Sequence, residues 1–292
     1  MVWQSLVRTW LQQQVRQSAS QAVNAARQRA GEAASAPAAP CQVGLVFALG
    51  IESGGLVDLL SETSTIQGAE LTIRQGRLQS RSVVVAEAGV GSLAAARATQ
   101  ALLAGHRPQW VISAGFAGGL DARLARGDII MADSLAGPDG RRLTVDLKMP
   151  AEATATPGLH LGRLVTTDAV IFRPADKRAL GEQYQALAVD MESWTVGEVC
   201  RQAKTRFLAI RVISDAVDDE LPADVERLAR QTTRAARLGA AAGAIFRRPS
   251  SMKDMLKLKE EALIASDRLA RFLAGIIVQL VPPREPAADS DH

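Results

Sequence analysis

Two short apolar runs in this chain end in carboxylates. Ala188–Ser193 reads Ala-Val-Asp-Met-Glu-Ser, and Arg211–Asp215 reads Arg-Val-Ile-Ser-Asp. An unpaired carboxylate is costly to bury, so a chain that carries such groups beside buried strands must place them where the strands end. In open α/β sheets, ligands bind beyond the carboxyl ends of the strands. The two stretches therefore predict a functional site at strand ends, built around Glu192 and Asp215.

The order of the apolar segments predicts an α/β fold. Short apolar runs alternate with helical patterns from Gln42 to Ile213, which is typical of a mostly parallel or mixed sheet covered by helices. A chain of 292 residues with 47% apolar residues can bury one full core. We expect a single domain with a central mixed, mostly parallel β-sheet flanked by helices. A glycine-containing turn is expected at Gly50–Gly55, and a glycine-rich segment should follow a short strand at Trp110–Ser113.

The two ends of the chain differ from its centre. No acidic residue precedes Glu32, and the apolar residues near the start recur at helical spacing. Residues 1–31 therefore predict a basic amphipathic helix that could lie on an anionic membrane surface or pack against a partner. An Ala/Pro-rich linker completes residues 1–40. We expect the folded domain over 41–280, including C-terminal helices, and a disordered tail over 281–292.

Composition argues against several classes of protein. The net charge is +3, and no basic stripe with interleaved aromatic residues predicts nucleic-acid binding. Cys41 and Cys200 are too few for a disulfide framework, which fits a reducing cytoplasm. The three histidines show no metal-ligand spacing. We therefore expect neither a metal nor a cofactor.

Two more segments lie where a predicted strand meets a turn or helix. Ala48–Ser53 carries one carboxylate, and Glu87–Ser92 contains a Gly-Val-Gly turn. The turn alone is a weak signal, because a tight strand-to-helix connection explains it equally well. Ser113–Leu120 is richer, since its three glycines would let the backbone approach a flat ligand closely.

In their order and spacing these segments resemble the nucleoside phosphorylase and nucleosidase superfamily, and within it the bacterial methylthioadenosine/adenosylhomocysteine nucleosidases. The resemblance covers about Val43–Val217 and resumes in the final helix. Its most specific elements are Ala48–Glu52, Gly89–Gly91, Ser113–Leu120 with Gly127–Ile129, Val189–Glu192 and Arg211–Asp215.

The resemblance implies a role for each matching residue. Glu52 would position or activate an attacking water. Met191 and Glu192 would grip the ribose, while Asp215, oriented by Ser214, would protonate N7 of adenine. The other substrate-binding residues that we expect are Ala114, Gly115, Phe116, Val170 and Ile171. Val170 departs from the family, which often places an aromatic residue there to stack on adenine. The resemblance also implies a homodimer.

The chemistry is consistent with these residue types. Cleavage of an N-glycosidic bond develops oxocarbenium character on the sugar and negative charge on the departing base. Carboxylates near the sugar stabilise the first, and a proton donor near N7 relieves the second. The division into acid and base parallels that of glycoside hydrolases.

Water or phosphate could attack the sugar. Phosphate requires charge-assisted donors, yet neither Gly50–Gly55 nor Ala86–Ser92 contains Arg or Lys. We therefore expect a nucleosidase that hydrolyses a 5′-modified adenosine. One alternative is a phosphate-dependent purine nucleoside phosphorylase. Another is an adenosylhopane nucleosidase or phosphorylase, because Ala244–Pro249 and Leu256–Leu258 resemble the hopanoid-associated branch. A nucleoside-binding or membrane-associated protein with a lapsed site is the non-enzymatic alternative.

Overall fold

The computed structural model describes residues 41–145, 156–219 and 252–282. Its strands are β1 (Val43–Phe47), β2 (Ser61–Gln67), β3 (Thr72–Leu78), β4 (Arg81–Glu87), β5 (Trp110–Gly119), β6 (Ile129–Ala136), β7 (Arg142–Thr144), β8 (Leu159–Thr166), β9 (Ala188–Asp190) and β10 (Arg206–Asp215). Its helices are α1 (Gly50–Val57), α2 (Ser92–His106), α3 (Pro174–Tyr184), α4 (Ser193–Gln202) and α5 (Met252–Leu280). The expected N-terminal helix and linker of residues 1–40, and most of the tail over 281–292, lie outside the described residues.

One mixed sheet contains all of these strands. β4, β1, β5 and β10 run parallel to one another in that order. β10 also pairs with β6, and β8 and β9 lead from β6 back to β5, so that five strands close into a ring. Antiparallel strands β3 and β2 extend the sheet beyond β4, and β7 pairs with β6. The predicted α/β fold with a mixed sheet flanked by helices is confirmed.

The core lies on both faces of the sheet. All five residues of β1 are buried, and alternate side chains enter different clusters. Leu45 packs in a cluster with residues of α1 and α5, whereas Val46 packs with residues of α2 and α4. This pattern follows from the two-residue period of a strand. β1 is therefore covered by helices on both sides, as an internal parallel strand should be.

α5, the last helix of the described residues, holds α1 in place. α5 packs along α1, and its Leu269 and Leu273 are fully buried in the core. The hydroxyl of Ser266 accepts a hydrogen bond from the backbone N–H of Gly55 at 3.3 Å and lies 3.3 Å from the carbonyl of Glu52. At the other end of α5, the buried Arg81 donates to the carbonyl of Val281 at 2.9 Å. The position of α1, which carries Glu52, therefore depends on α5.

The structure differs from the sequence-based expectations at three places. The predicted turn at Gly50–Gly55 is wrong, because these residues form most of α1. The expected short strand at Trp110–Ser113 is longer than predicted, since β5 continues through Gly119 and pairs with β9 and β10. β2 was not expected at all, because its seven residues are exposed and lack an apolar alternation. In the described ranges, every helix is too short or too polar to span a membrane.

We expect Leu273→Ala to destabilise the domain by about 2–5 kcal/mol, because it removes a fully buried side chain from the α1–α5 contact. Leu263→Ala is the matched control, since Leu263 lies on the same helix and is 49% exposed. The control should change stability by less than about 0.5 kcal/mol. Thermal or urea unfolding of the two variants measures the difference, and equal effects would contradict the assigned packing.

Candidate active site

Strand pairing brings the two acidic stretches together. Gly118 of β5 pairs with Asp215 of β10 on one side and with Val189 of β9 on the other. Val189, three residues before Glu192, and Asp215 therefore lie on opposite sides of Gly118. The two stretches read from the sequence as strand ends thus both flank β5.

Glu52 is held at the start of α1. Its Oε2 accepts hydrogen bonds from the backbone N–H groups of Ala48 at 3.0 Å and Leu49 at 2.8 Å. Its Oε1 accepts one from the backbone N–H of Phe116 on β5, at 2.9 Å. These three bonds fix a carboxylate that is only 5% exposed. They also join the end of β1 to the middle of β5.

Glu192 comes directly before α4 and reaches the start of α2. Its Oε1 accepts a hydrogen bond of 2.8 Å from the backbone N–H of Gly91. Gly91 has a φ of +96°, a conformation that favours glycine. The glycine turn read from the sequence therefore has a structural task, which is to direct a backbone donor at Glu192.

A buried ion pair lies beside these carboxylates. Nε of Arg211 is 2.9 Å from Oδ2 of Asp190, and its Nη2 donates to the hydroxyl of Ser113 at 2.9 Å. The other carboxylate oxygen of Asp190 accepts from the hydroxyl of Thr166 at 2.7 Å. Arg211 is 2% exposed. A buried charge of this kind needs such partners, because removing them leaves an uncompensated ion.

Asp215 ends β10 and is bound on both of its oxygens. The hydroxyl of Ser214 lies 2.6 Å from Oδ1 and 3.2 Å from the carbonyl of Ala117, so it can donate to either. The ammonium group of Lys177, from α3, lies 2.5 Å from Oδ2. The side chain of Asp215 is 12% exposed, so part of it still reaches solvent.

Burial and neighbouring charge perturb two of the carboxyl groups. Desolvation raises the pKa of Glu52, opposed by the backbone donor of Phe116 and then by the charge of Arg211. Desolvation, followed by the repulsion of Asp190, raises the pKa of Glu192 to about 7, and Arg211 opposes that shift. The charge of Glu52 also raises the pKa of Glu192, so the two carboxyl groups interact electrostatically. Such perturbed groups in one place are typical of functional sites.

The other expected substrate-binding residues occupy different environments. Ala114 and Gly115 are buried in β5 opposite Ile210 and Arg211, and Phe116 follows them. Ser214 and Met191 are partly exposed beside the acidic groups.

Val170 and Ile171 lie in the segment before α3. Val170 is 37% exposed, whereas Ile171 packs against a small separate cluster. The hydroxyl of Ser92 lies 3.5 Å from a carboxylate oxygen of Asp168, which links this segment to the start of α2.

Sequence reasoning missed the residues that hold these groups. Arg211 lies in one of the motifs, but the sequence suggested no role for it. A cation in an apolar strand is costly to bury without a partner, and this was the available signal. Asp190, two positions before Glu192, is that partner. Lys177 carried no recognisable signal, because a lysine in a short helix is usually exposed.

A polar groove in the described ranges lies away from these carboxylates. It has a volume of 810 Å³ and is bordered by polar residues of β6 and β8, including His160 and Arg163. None of the expected site residues lines it. In the described part of the chain, no group of three or more His, Cys, Asp or Glu side chains is arranged to hold a metal.

The raised pKa of Glu192 predicts a pH-dependent cost in stability. A carboxyl group whose pKa is higher in the folded protein stabilises the fold when protonated, and this contribution is lost as pH rises from about 4.5 to about 7. Glu192→Gln removes the charge but keeps an acceptor for Gly91. We expect this variant to be more stable than the wild type at pH 8 by up to about 3 kcal/mol, with a smaller difference at pH 5.

Unfolding at the two pH values measures this effect. Glu182→Gln is the control, because Glu182 is exposed, and it should show the same small difference at both pH values. A Glu192→Gln variant that is less stable than the wild type at pH 8 would contradict the interpretation.

Comparison with known proteins identifies the family. Residues 42–245 match the model of the phosphorylase superfamily. The chain is 30% identical to the 5′-methylthioadenosine/S-adenosylhomocysteine nucleosidase of Aeromonas salmonicida, over 61% of this chain and 88% of the relative. The protein of the same name from Staphylococcus haemolyticus is 26% identical, over 59% and 86% of the two chains.

Solved structures confirm the fold. The nucleosidase of the same name from Neisseria meningitidis, in complex with methylthio-immucillin-A, superposes with a TM-score of 0.62 at 20% identity, over 82% of this chain and 99% of that one. The Streptococcus pneumoniae enzyme, with a transition-state inhibitor, gives 0.63 at 21% identity, over 82% and 100%. On the extent of the family match, this chain belongs to the phosphorylase superfamily.

Proposed function

We propose that this protein is a nucleosidase that hydrolyses the N-glycosidic bond of a 5′-modified adenosine and releases adenine. The observation that carries the proposal is that Glu52, Asp215 and the stretch leading to Glu192 all lie against β5, and that the charges of Glu52 and Glu192 interact. The relative from Aeromonas salmonicida, which aligns over most of its length, is named as a nucleosidase of methylthioadenosine and adenosylhomocysteine. The three carboxyl groups provide a separate role for each part of the reaction.

We assign the activation of the nucleophile to Glu52. Its carboxylate is fixed by three backbone donors, and its raised pKa suits a group that takes a proton from water. A second carboxylate, Glu87, accepts a hydrogen bond from Ser53 of α1 at 2.7 Å and pairs with Arg74 at 3.0 Å. Arg74 balances the charge of Glu87, whereas the carboxylate of Glu52 at the first turn of α1 is held by backbone donors and would repel a phosphate dianion, which favours water as the nucleophile.

The ribose is assigned to Glu192 and Met191. A carboxylate accepts hydrogen bonds from sugar hydroxyls, and its charge stabilises the oxocarbenium character that develops as the bond breaks. The backbone N–H of Gly91 already donates a hydrogen bond to Oε1 of Glu192. We therefore assign the other carboxylate oxygen, Oε2, to the sugar.

We assign the protonation of the departing adenine to Asp215. Asp215 delivers a proton to N7 while the bond between C1′ and N9 breaks, and Ser214 orients its carboxyl group. Val170 and Ile171 precede α3 and would line the base. Ala114, Gly115 and Phe116 supply the backbone of β5 beneath it.

Adenine release tests this function directly. We expect release from methylthioadenosine or adenosylhomocysteine at a rate that does not depend on phosphate. Asp215→Asn and Glu52→Gln should each lower kcat by about 10²–10⁴-fold, because each removes a proton-transfer group. A lipid-linked adenosine tests whether the 5′ group is a hopanoid. Release that requires phosphate would indicate a phosphorylase, and binding of the nucleosides without release would indicate a lapsed site.

Gly115→Ala should inactivate the enzyme through Glu52. A Cβ at position 115 would lie 2.8 Å from Oε1 of Glu52, so the carboxylate must move. We expect kcat to fall by about 10²-fold, because a displacement near 1 Å at a catalytic group has that effect. Gly54→Ala is the control, since no described atom lies within 4 Å of its Cβ position. Equal rates for the two variants would contradict the role of Glu52.

Three expectations about the whole protein stay predictions. These are a homodimer, contact of residues 1–31 with a membrane surface, and a cytoplasmic location. The residues that motivate the membrane contact lie outside the described ranges.

A further inference from the structure

A fully buried lysine lies behind the proposed acid. Lys177 is 0% exposed, and its ammonium group donates to Oδ2 of Asp215 at 2.5 Å, to the carbonyl of Ala216 at 2.8 Å and to the carbonyl of Asp219 at 3.0 Å. An ammonium group has three N–H donors, so these partners account for all of them. Burying such a group costs several kcal/mol unless it is well paired. No step of the proposed reaction yet uses it.

The surrounding turn is built to receive this lysine. The carboxylate of Asp219 accepts from the backbone N–H of Ala216 at 2.7 Å, and the backbone N–H of Asp219 donates back to the carbonyl of Ala216 at 3.1 Å. Arg126 pairs with the same carboxylate at 2.7 Å. The two carbonyls that face Lys177 are therefore fixed. This arrangement leaves the ammonium group no freedom to turn away from Asp215.

The two oxygens of Asp215 have different partners. Oδ2 faces Lys177, and the backbone of Gly118 lies close to the same oxygen, since a Cβ there would be 3.1 Å away. Oδ1 faces Ser214, whose hydroxyl can turn to the carbonyl of Ala117 instead. Oδ1 is thus the oxygen that can exchange its partner for a base. Lys177 secures the opposite oxygen and so fixes the plane of the carboxyl group.

On the basis of the proposed function, we propose that Lys177 is the positioning residue of the acid: it holds Asp215 by Oδ2 and stabilises the carboxylate formed when the proton passes to N7. The bond between C1′ and N9 breaks, and its electron pair goes to the base. The proton moves from Asp215 to N7, which leaves a carboxylate beside the ammonium group. Water bonds to C1′ and gives its proton to Glu52.

Lys177 also connects the acid to the base-lining segment. It lies in the first turns of α3, which begins at Pro174, three residues after Ile171. One side chain therefore ties the segment assigned to the base, the acid at the end of β10 and the turn that follows.

Two leaving groups distinguish positioning from structural support. Lys177→Met keeps the length of the side chain and removes its charge. We expect kcat for methylthioadenosine to fall by about 10²-fold, because the departing adenine needs a proton. An analogue with 4-nitrophenolate in place of adenine needs none, so its rate should change by less than about threefold. A merely structural lysine would lower both rates equally.

A double-mutant cycle links the effect to Asp215. In an Asp215→Asn background, Lys177→Met should cause no further loss, because the residue through which it acts is already disabled. Arg178→Met is the matched control. Arg178 is the next residue of α3, is exposed and pairs with Asp218, and both substrates should react with this variant as with the wild type.

The results distinguish a failure of the role proposed for Lys177 from a failure of the proposed function. Equal losses on both substrates, an unchanged rate for methylthioadenosine, or additive losses with Asp215→Asn would overturn the role of Lys177 while the wild type remains active. A wild type that releases no adenine would overturn the proposed function itself and the role with it. If Lys177→Met does not fold by circular dichroism, Lys177→Gln, which keeps an N–H donor without the charge, gives the same comparison.

Discussion

The guanidinium group of Arg211 is the charge on which the rest of the site depends. It pairs with Asp190, binds Ser113, and opposes the rise in pKa that burial imposes on Glu52 and Glu192. The carboxyl groups of Glu52, Asp190 and Glu192 are all buried and interact electrostatically, so without this cation they would repel one another and resist burial. Breaking a buried pair by removing one partner typically costs about 3–5 kcal/mol. Stability and chemistry therefore use the same cation.

A second cation has a parallel arrangement at the other side. Lys177 pairs with Asp215, the last residue of β10. In the same way Arg211 of β10 pairs with Asp190, the last residue of β9. The guanidinium group spreads its bonds over Asp190 and Ser113, whereas the ammonium group concentrates its charge on one carboxylate oxygen and two carbonyls. These geometries match the ordinary difference between a planar fork and a point charge.

The carboxylates of the site could be read from the sequence, but their partners could not. Glu52, Glu192 and Asp215 stand out because acidic residues beside apolar runs need an explanation. The fold class was equally visible in the alternation of strands and helices. The ion pairs of Lys177 with Asp215 and of Arg211 with Asp190 depend on the pairing of residues 38 and 21 positions apart in the chain. Local patterns carry no information about such pairing. α1 was misread for a related reason, because its start is stabilised by the side chain of Glu52 and its flank by the distant α5.

The contact between α1 and α5 has a consequence for synthesis. Ser266 meets the backbone of Glu52 across 214 positions, so the ribosome makes one partner long before the other. The strands of the ring can pair while the chain is still growing, yet the first helix lacks its covering layer until the last one has emerged. Contacts of such long range are slow to form. The nascent chain therefore gains the support for α1, and for the carboxylate of Glu52 that α1 carries, only after residues 252–280 have been made.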